Sequence, residues 1–221
     1  MMSEIDMEQA RFNMVEQQIR TWDVLDQRVL DALMLVPREE YVPRAYRHLA
    51  YADIALPLNH GEYMLHPKIE ARLLQALQVS DSDIGLVVGT GSGYLTALMA
   101  HLGQKVYSVD INRDFLQNAA QILSTQGVHN VELIEGDASR GWPANAPYDV
   151  IAVCGGLSAI PAETREQLAI GGRLVAVVGH PPIMEMMLVT RLSDDQWRSE
   201  SLLETELALL RNAEADPTFE F

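Results

Sequence analysis

The most chemically informative residues lie in the segment 89–94, which reads Gly-Thr-Gly-Ser-Gly-Tyr. An apolar run at 84–88 precedes it and predicts a buried strand, and a helical pattern follows it. A glycine turn between a strand and a helix lets the backbone approach a ligand where a Cβ would clash. Asp110 lies 21 residues after Gly89, at the end of the next predicted strand, 105–109. A carboxylate at that distance can accept hydrogen bonds from both ribose hydroxyls of a nucleoside.

The spacing of the glycines narrows the choice of cofactor. A dinucleotide-binding turn needs Gly or Ala five residues after its first glycine, and this chain has Tyr94 there. No Lys-Ser or Lys-Thr pair follows the turn, which excludes a phosphate-binding loop. The turn and the ribose-binding acid together indicate S-adenosylmethionine, which has no phosphate to hold. The alternative for the turn alone is an ordinary strand-to-helix connection.

The composition limits the class of partner and the compartment. With 31 acidic and 16 basic residues, the net charge is −15, which argues against sequence-independent binding to nucleic acid. The single cysteine, Cys154, excludes internal disulfides and favours a reducing compartment. Residues 1–6 are acidic and lack an apolar run, so they predict no signal peptide, and no run approaches a membrane span. We therefore expect a cytoplasmic protein without nucleic-acid or membrane partners.

The organisation of the chain changes at about residue 80. Amphipathic helix patterns cover 7–20 and 24–36, and an irregular stretch runs from Pro43 to Pro67. Pro67 suits the first turn of a further helix, whose apolar residues are Ile69, Leu73, Leu74 and Leu77. From residue 84 onward strand and helix patterns alternate, which predicts a mostly parallel sheet with right-handed crossovers.

The C-terminal part of the sheet has a different pattern. The parallel strands are predicted at 84–88, 105–109, 131–134, 148–153 and 173–178. Further strands at 187–192 and 197–202 flank a turn signal, and 203–209 alternates with a period of two, so we expect antiparallel strands here. One compact domain is expected, with N-terminal helices and a substrate-covering segment at 1–80, a cofactor-binding α/β core at 81–211, and a frayed tail at 212–221.

Two other short segments follow predicted strands and could complete a site. Ligands of open α/β sheets lie beyond the carboxyl ends of the strands, where residues 136–138 and 154–156 are expected. Asp137 could accept the adenine amino group or act as a turn or cap residue. Cys154 fits a buried small residue better than a nucleophile. The six histidines have no metal-ligand spacing, so no metal site is expected, whereas His60 and His66 could contact substrate or form structural hydrogen bonds.

A series of short motifs over residues 10–180 resembles one known family. In chain order the motifs are Val15-Glu16-Gln17-Gln18-Ile19-Arg20, Val36-Pro37-Arg38, Tyr41-Val42-Pro43, Ala50-Tyr51-x-Asp53, Pro57-Leu58, Gly61, Pro67, the turn at 89–94, the strand at 106–110, Gly136-Asp137, Pro147-Tyr148-Asp149 and Gly171-Gly172-Arg173-Leu174-Val175. Together they resemble the protein-L-isoaspartate (D-aspartate) O-methyltransferases. The resemblance implies a Rossmann-like α/β methyltransferase fold and S-adenosylmethionine as cofactor. It also implies methyl transfer to the side-chain carboxylate of an isoaspartyl residue in a damaged protein or peptide.

The predicted site has a cofactor part and an acceptor part. Residues predicted to bind the cofactor are Gly89, Thr90, Gly91, Gly93, Tyr94, Asp110, Ile111, Asp137 and Ala138. Residues predicted to contact the methyl acceptor are His60, Tyr63, Leu65, His66, Cys154 and Gly155.

Four departures from the family pattern identify a divergent member. Two are segments: 154–157 differs from the small Thr-Ala-Ala-type segment of the family, and 203–210 lacks its aromatic-proline ending. The other two are single positions. The family's functional serine falls on Leu65, which has no hydroxyl, so no catalytic residue is assigned. The family's acid near the cofactor's amino group falls on Val87, where a glutamate would tighten binding unless another carboxylate has taken over. One alternative is a methyltransferase with a small-molecule acceptor, because Tyr63, Met64 and Leu65 form a more apolar mouth. Another is a non-catalytic descendant that binds a nucleoside weakly or serves as an interaction domain.

Overall fold

The computed structural model describes residues 4–213, and the N-terminal part of this range is helical. Its elements are α1 (Glu4–Asn13), a π-type turn (Met14–Ile19), a 3₁₀ turn (Arg20–Trp22), α2 (Gln27–Leu35) and α3 (Arg38–Tyr41). Asp26 caps the N-terminus of helix α2, and its carboxylate accepts a hydrogen bond from the Arg28 N–H at 2.9 Å. The two helices predicted from periodicity are therefore found, with shifted ends.

The irregular stretch predicted before Pro67 contains a small hairpin. Its elements are 3₁₀ turns at Arg44–Leu49 and Asn59–Gly61 and the antiparallel strands β1 (Leu56–Pro57) and β2 (Tyr63–Met64). Helix α4 (Pro67–Leu77) then begins at Pro67, as the sequence predicts. Its predicted apolar face is buried.

A seven-stranded sheet forms the centre of the molecule. The remaining elements are β3 (Ile84–Val88), α5 (Tyr94–Leu102), β4 (Lys105–Asp110), α6 (Arg113–Thr125), β5 (Val131–Glu135), a 3₁₀ turn (Pro143–Asn145), β6 (Tyr148–Leu157), α7 (Ala162–Glu166), β7 (Leu168–His180), β8 (Ile183–Arg191) and β9 (Trp197–Glu204). The strand order is β5-β4-β3-β6-β7-β8-β9, parallel from β5 to β7, with β8 and β9 antiparallel. The predicted Rossmann-like α/β fold with antiparallel C-terminal strands is confirmed.

The core has one layer on each face of the sheet. Val87 belongs to a buried cluster that includes Leu74 of α4 and Leu98 of α5. Its neighbour Val88 belongs to the cluster on the other face, with Val109. Because side chains alternate along a strand, residue 87 points to the face that α4 and α5 cover.

The segment after β9 differs from the sequence-based expectation. The alternating pattern at 203–209 predicts a strand, but β9 ends at Glu204, and residues 205–208 are not part of the sheet. Instead, the Gly156 N–H donates to the Ala208 carbonyl oxygen at 2.8 Å, and the Leu210 N–H donates to the Gly156 carbonyl oxygen at 2.9 Å. The C-terminal segment, residues 205–211, therefore lies across the carboxyl end of β6.

The beginning of the predicted tail is held by two hydrogen bonds. Asn212 Nδ2 donates to Asp137 Oδ2 at 2.9 Å, and Ser158 Oγ donates to the Ala213 carbonyl oxygen at 3.0 Å. Residues 214–221 of that tail lie outside the described residues. Between residues 4 and 213, no helix is long and apolar enough to cross a membrane.

Candidate active site

A cavity of about 380 Å³ opens at the carboxyl ends of β3, β4, β5 and β6. This volume falls within the range of about 300–1,000 Å³ that is typical of small-molecule sites. Its walls are the glycine turn after β3, the ends of the neighbouring strands, the β1–β2 hairpin and the C-terminal segment. The strand order reverses at β3, and this is where open α/β sheets bind their ligands.

Two of the three glycines of the turn line the cavity, and the third packs against a helix. Gly89 and Gly91 line the cavity, with φ angles of +88° and +50° that favour glycine. Gly93 also has a positive φ, +83°, but it does not line the cavity. A Cβ at Gly93 would lie 2.9 Å from the Ala119 Cβ, so this glycine allows α6 to approach the start of α5. The first two predicted glycines therefore reach the site, and the third is structural.

A buried hydroxyl network holds the turn in place. Thr90, which lines the cavity, has its Oγ1 2.7 Å from the Ser108 Oγ on β4. The same Ser108 Oγ lies 2.9 Å from the Thr96 Oγ1 on α5. All three side chains are buried. Because the bonds join turn, strand and helix, they fix the turn relative to the sheet.

Asp110 ends β4 and lines the cavity, where the sequence places it. Its Oδ2 accepts from the Gly91 N–H at 2.9 Å, and its Oδ1 accepts from the Asn112 N–H at 2.8 Å. Each carboxylate oxygen has further lone pairs, so the group can order the turn and still accept hydrogen bonds from a ligand. The carboxylate thus fixes the shape of the turn and remains available to a ligand.

The other end of the cavity is formed by residues that follow β4 and β5. Ile111, Asp137 and Ala138 all line it. Asp137 Oδ1 accepts from the Ser139 N–H at 2.9 Å, which makes it a turn residue as well as a lining residue. Burial opposes ionisation of Asp137, but the hydrogen bonds from Ser139 and Asn212 outweigh it and lower its pKa. The carboxylate is therefore ionised at neutral pH and can accept an amino hydrogen.

Tyr94 is not brought to the cavity, although it is in the predicted cofactor set. Its ring is fully buried, 5.5 Å from the Tyr41 ring, with the Arg38 guanidinium 4.8 Å from its centroid. The phenol oxygen has no hydrogen-bond partner among the described residues. Tyr94 begins α5, and its ring packs against the Arg38 guanidinium instead of lining the cavity.

The structure brings most of the predicted acceptor residues to the cavity but not His60. Tyr63, Leu65 and His66 line it. His60 Nε2 instead lies 2.8 Å from Asp114 Oδ1 on α6, with its ring edge-on to another side chain of that helix. His60 therefore fastens the β1–β2 hairpin to α6 beside the cavity.

Cys154 and Gly155 also line the cavity, on β6. Burial raises the pKa of the Cys154 thiol, and the negative charges of Glu70 and Asp110 raise it further. The residue is only half-buried, but its thiol stays protonated at neutral pH, which does not suit a nucleophile. A Cβ at Gly155 would come within 2.6 Å of the Leu210 Cδ2, so glycine here allows the C-terminal segment to approach β6.

Metal ligands do not come together in the described part of the chain. Between residues 4 and 213, no group of three or more His, Cys, Asp and Glu side chains could hold a metal ion.

Comparison with known proteins identifies the family. A family model described as protein-L-isoaspartate(D-aspartate) O-methyltransferase (PCMT) matches residues 9–212, which is well over half of the chain. The chain belongs to this methyltransferase family.

Similar sequences and solved structures agree with that assignment. The chain is 39% identical over 208 residues to protein-L-isoaspartate O-methyltransferase 2 of Pelobacter propionicus, covering 94% of this chain and 92% of that protein. It is 40% identical over 201 residues to protein-L-isoaspartate O-methyltransferase 1 of Rhodopseudomonas palustris strain HaA2, covering 90% and 82%. A solved protein-L-isoaspartate O-methyltransferase aligns with a TM-score of 0.79 at 26% identity, over 90% of this chain and 65% of that one. A Plasmodium falciparum structure described as a complex with S-adenosyl-L-homocysteine has the same fold, with a TM-score of 0.77 at 18% identity over 93% and 98%.

The departures from the family pattern at Leu65 and Val87 have different structural settings. Leu65 lines the cavity and is almost fully buried, so the position of the family's serine carries an apolar wall. Val87 is completely buried below the cavity and does not line it. The first departure therefore alters the surface that an acceptor would meet, and the second removes a charge from the sheet.

Sequence reasoning missed Glu70, a cavity-lining carboxylate on α4. Glu70 is buried and accepts a hydrogen bond from Arg38 Nη1. Burial raises the pKa of Glu70 to about 7, although the charge of Arg38 and its hydrogen bond act in the opposite direction. The signal was present, because Glu70 shares the helical spacing of Leu73, Leu74 and Leu77. An acid on the apolar face of an amphipathic helix indicates a buried charge.

Sequence reasoning also missed the C-terminal segment as a wall of this family member's cavity. Residues 206–211 line it, and Arg211 ties the segment to the β1–β2 hairpin. Arg211 Nε lies 3.4 Å from Glu62 Oε1, and its Nη2 donates to the His60 carbonyl oxygen at 3.2 Å. The local sequence carries no signal for this arrangement, because its alternating pattern also suits a strand.

Proposed function

We propose that this protein transfers the methyl group of S-adenosylmethionine to the side-chain carboxylate of isoaspartyl residues, the first step in repair of damaged proteins. Membership of the methyltransferase family supports the reaction class. The observation that carries the proposal is that the glycine turn and Asp110 line one cavity and share a hydrogen bond. A phosphate-binding turn or a dinucleotide turn does not fit these residues.

The residues of the cavity fit the parts of this cofactor in order along the sheet. Asp110 can accept the ribose hydroxyls, and Asp137 can accept the adenine amino group. Ile111 and Ala138 provide apolar surface beside them. The close backbone of Gly89 and Gly91 leaves room for the chain that connects the ribose to the amino acid.

The protein's own contribution to the reaction is alignment and exclusion of water. When bound, S-adenosylmethionine supplies a methyl group on a positively charged sulfur, and the C–S electron pair returns to sulfur as the new oxygen–carbon bond forms. A carboxylate acceptor is already ionised at neutral pH, so no side chain has to remove a proton. Leu65 from the hairpin side and Leu210 from the C-terminal segment provide apolar walls. Such walls remove water from the reacting groups and restrict their orientation.

A second acceptor class is favoured by the same walls. Met64, Leu65, Leu207 and Leu210 give the cavity mouth an apolar surface, and Leu65 cannot donate a hydrogen bond to a carboxylate. Such a mouth suits a small apolar molecule that carries the nucleophile. This candidate keeps the cofactor and changes only the acceptor.

We infer that the protein acts in the cytosol without nucleic-acid partners. Its only cysteine, Cys154, is half-buried in the cavity wall and has no second cysteine with which to pair. The net charge of −15 provides no basic surface for phosphates.

The test is a radiolabelled methyl-transfer assay with two peptides that differ only in an isoaspartyl or a normal aspartyl residue. We expect base-labile methyl ester on the isoaspartyl peptide alone. Binding of S-adenosylhomocysteine without methylation of either peptide would favour the small-molecule acceptor. The absence of S-adenosylhomocysteine binding at millimolar concentration would refute the proposal and favour a non-catalytic descendant.

A further inference from the structure

Glu70 has one carboxylate oxygen without a protein partner inside the cavity. Only 2% of the residue is exposed, and its Oε2 accepts from Arg38 Nη1. Its Oε1 has no hydrogen-bond donor among residues 4–213, although the side chain lines the cavity. The residue is buried, but Oε1 is not one of the fully buried oxygens without a partner, so it opens onto the cavity and can accept a hydrogen bond there. The arrangement therefore indicates that a donor is supplied by a ligand.

The other carboxylates of the cavity do not share this property. Both oxygens of Asp110 accept from backbone N–H groups, and both oxygens of Asp137 accept from nearby donors. Glu62 is paired with an arginine of the C-terminal segment, and Glu206 is exposed. Among the cavity-lining carboxylates of the described chain, Glu70 alone is buried with an oxygen that accepts nothing.

Glu70 lies at the end of the cavity opposite the adenine position. From β5 to β6 the sheet presents Asp137, then Asp110, then the glycine turn, and then Cys154. Helix α4 packs against β6 and β7, and the charge of Glu70 acts on the Cys154 thiol. A nucleoside whose ribose binds Asp110 and whose base points to Asp137 directs its 5′ substituent toward Glu70.

Arg38 fixes the orientation of the Glu70 carboxylate. Arg38 is completely buried, and its Nε donates to the Ala50 carbonyl oxygen at 3.0 Å. Its Nη2 donates to the Leu65 carbonyl oxygen at 2.6 Å, and its guanidinium lies over the Tyr94 ring. A carboxylate held from behind in this way is preorganised to accept a hydrogen bond at its remaining oxygen. The matching ligand group is a compact cationic donor.

We propose that Oε1 of Glu70 accepts a hydrogen bond from the α-ammonium group at the amino-acid end of S-adenosylmethionine. Glu70 is then a cofactor-binding residue that positions the methionine end, as Asp110 positions the ribose. This inference rests on the proposed function, because it requires an adenosyl cofactor in the cavity. An ammonium has three donors and fits one open carboxylate oxygen.

The test compares two ligands that differ in the amino-acid end. S-Adenosylhomocysteine carries the ammonium, whereas 5′-methylthioadenosine keeps the adenosine and the sulfur but lacks the amino acid. In titration calorimetry, Glu70→Gln should weaken the binding of S-adenosylhomocysteine at least about tenfold. A tenfold loss of affinity corresponds to about 1.4 kcal/mol. Binding of 5′-methylthioadenosine should change less than about twofold, because it makes no contact that depends on the charge of Glu70.

The matched control is Glu39→Gln, at another buried carboxylate. Glu39 accepts from Arg11 Nη2 at 2.9 Å and from the Tyr51 hydroxyl, and it does not line this cavity. This variant removes the charge from a similar buried ion pair. It should lower the midpoint of thermal unfolding and leave the affinity ratio of the two ligands unchanged.

A second measurement uses only the native protein and covers the case in which Glu70→Gln does not fold. A deaminated S-adenosylhomocysteine, which keeps its carboxylate, should bind the native protein at least about tenfold more weakly than S-adenosylhomocysteine.

Several results would overturn the assignment. If Glu70→Gln lost the same affinity for both ligands, Glu70 would be only the structural partner of Arg38. Equal native affinity for S-adenosylhomocysteine and its deaminated form would overturn the assignment while leaving the proposed function in place. The absence of binding of either adenosyl ligand to the native protein would instead overturn the proposed function itself.

Discussion

Replacement of Asp110 with alanine is expected to weaken the binding of S-adenosylhomocysteine and also to destabilise the fold. The ligand loses a charged acceptor for its ribose, which costs at least about 1.5 kcal/mol, or more than tenfold in affinity. The N–H groups of Gly91 and Asn112 lose the oxygens that accept them at 2.9 and 2.8 Å. A fully buried donor left without a partner costs about 1–3 kcal/mol, and these two donors are part-buried. We therefore expect the free energy of unfolding to fall by about 2–4 kcal/mol, since water can replace part of the carboxylate.

Titration calorimetry measures the first quantity, and urea denaturation of the ligand-free protein measures the second. Asp149→Ala provides a matched control, because Asp149 Oδ2 accepts from the Ile84 N–H at 2.8 Å at the opposite, amino-terminal end of the strands. This control should lose stability without losing ligand affinity. If Asp110→Ala bound S-adenosylhomocysteine within about threefold of the native protein, the ribose assignment would be wrong. Equal loss of affinity in Asp149→Ala would attribute the effect to the fold.

Three further predictions concern the turn, the acceptor wall and the sheet. Gly93→Ala should lower the free energy of unfolding by about 1–3 kcal/mol, because its new Cβ would lie 2.9 Å from the Ala119 Cβ. Gly127→Ala, with a similar positive φ of +71° and no atom within 4 Å, should cost less in the same denaturation experiment. In the isoaspartyl-peptide assay we expect weak turnover by the native protein. Leu65→Ser should raise the turnover only modestly, because the neighbouring walls stay apolar. Robust turnover by the native protein would contradict the expected effect of Leu65. Val87→Glu should bind S-adenosylhomocysteine no more tightly than the native protein, because the buried carboxylate of Glu70 already lines the cavity. A clear gain in affinity measured by calorimetry would refute that reasoning.

Local sequence patterns were sufficient for most of the sheet. The run at 84–88 and the pattern at 105–109 predict β3 and β4 because a parallel strand is buried on both faces and must be apolar along its length. Alternation fails as a guide at 203–209, because the chain leaves β9 at Glu204 and then lies along the end of β6 beside the cavity. Periodicity reports which side chains are buried, and it does not say what buries them.

The placement of Asp110 and the glycine turn was more predictable than that of Glu70 and the C-terminal segment. Asp110 and the glycine turn are fixed relative to each other by two adjacent parallel strands, so their spacing in sequence already places them together. Gly93 and Tyr94 belong to the same motif, but they face α6 and Arg38 instead of the cavity. Sequence spacing identifies a turn, whereas the direction of each residue within it depends on what packs behind it.

The amino-acid sequence by itself determined the α/β fold, the glycine turn, the position of Asp110 beside that turn and the family, because each of these depends on residues close together in the chain or on motifs in a fixed order. Only the tertiary structure decided that Glu70 of α4 and the C-terminal segment complete the cavity. Glu70 is held by Arg38, 32 residues away, and Arg211 reaches His60 across 151 residues. Contacts between segments so far apart depend on how helices and loops pack onto the sheet, and no local pattern encodes that geometry.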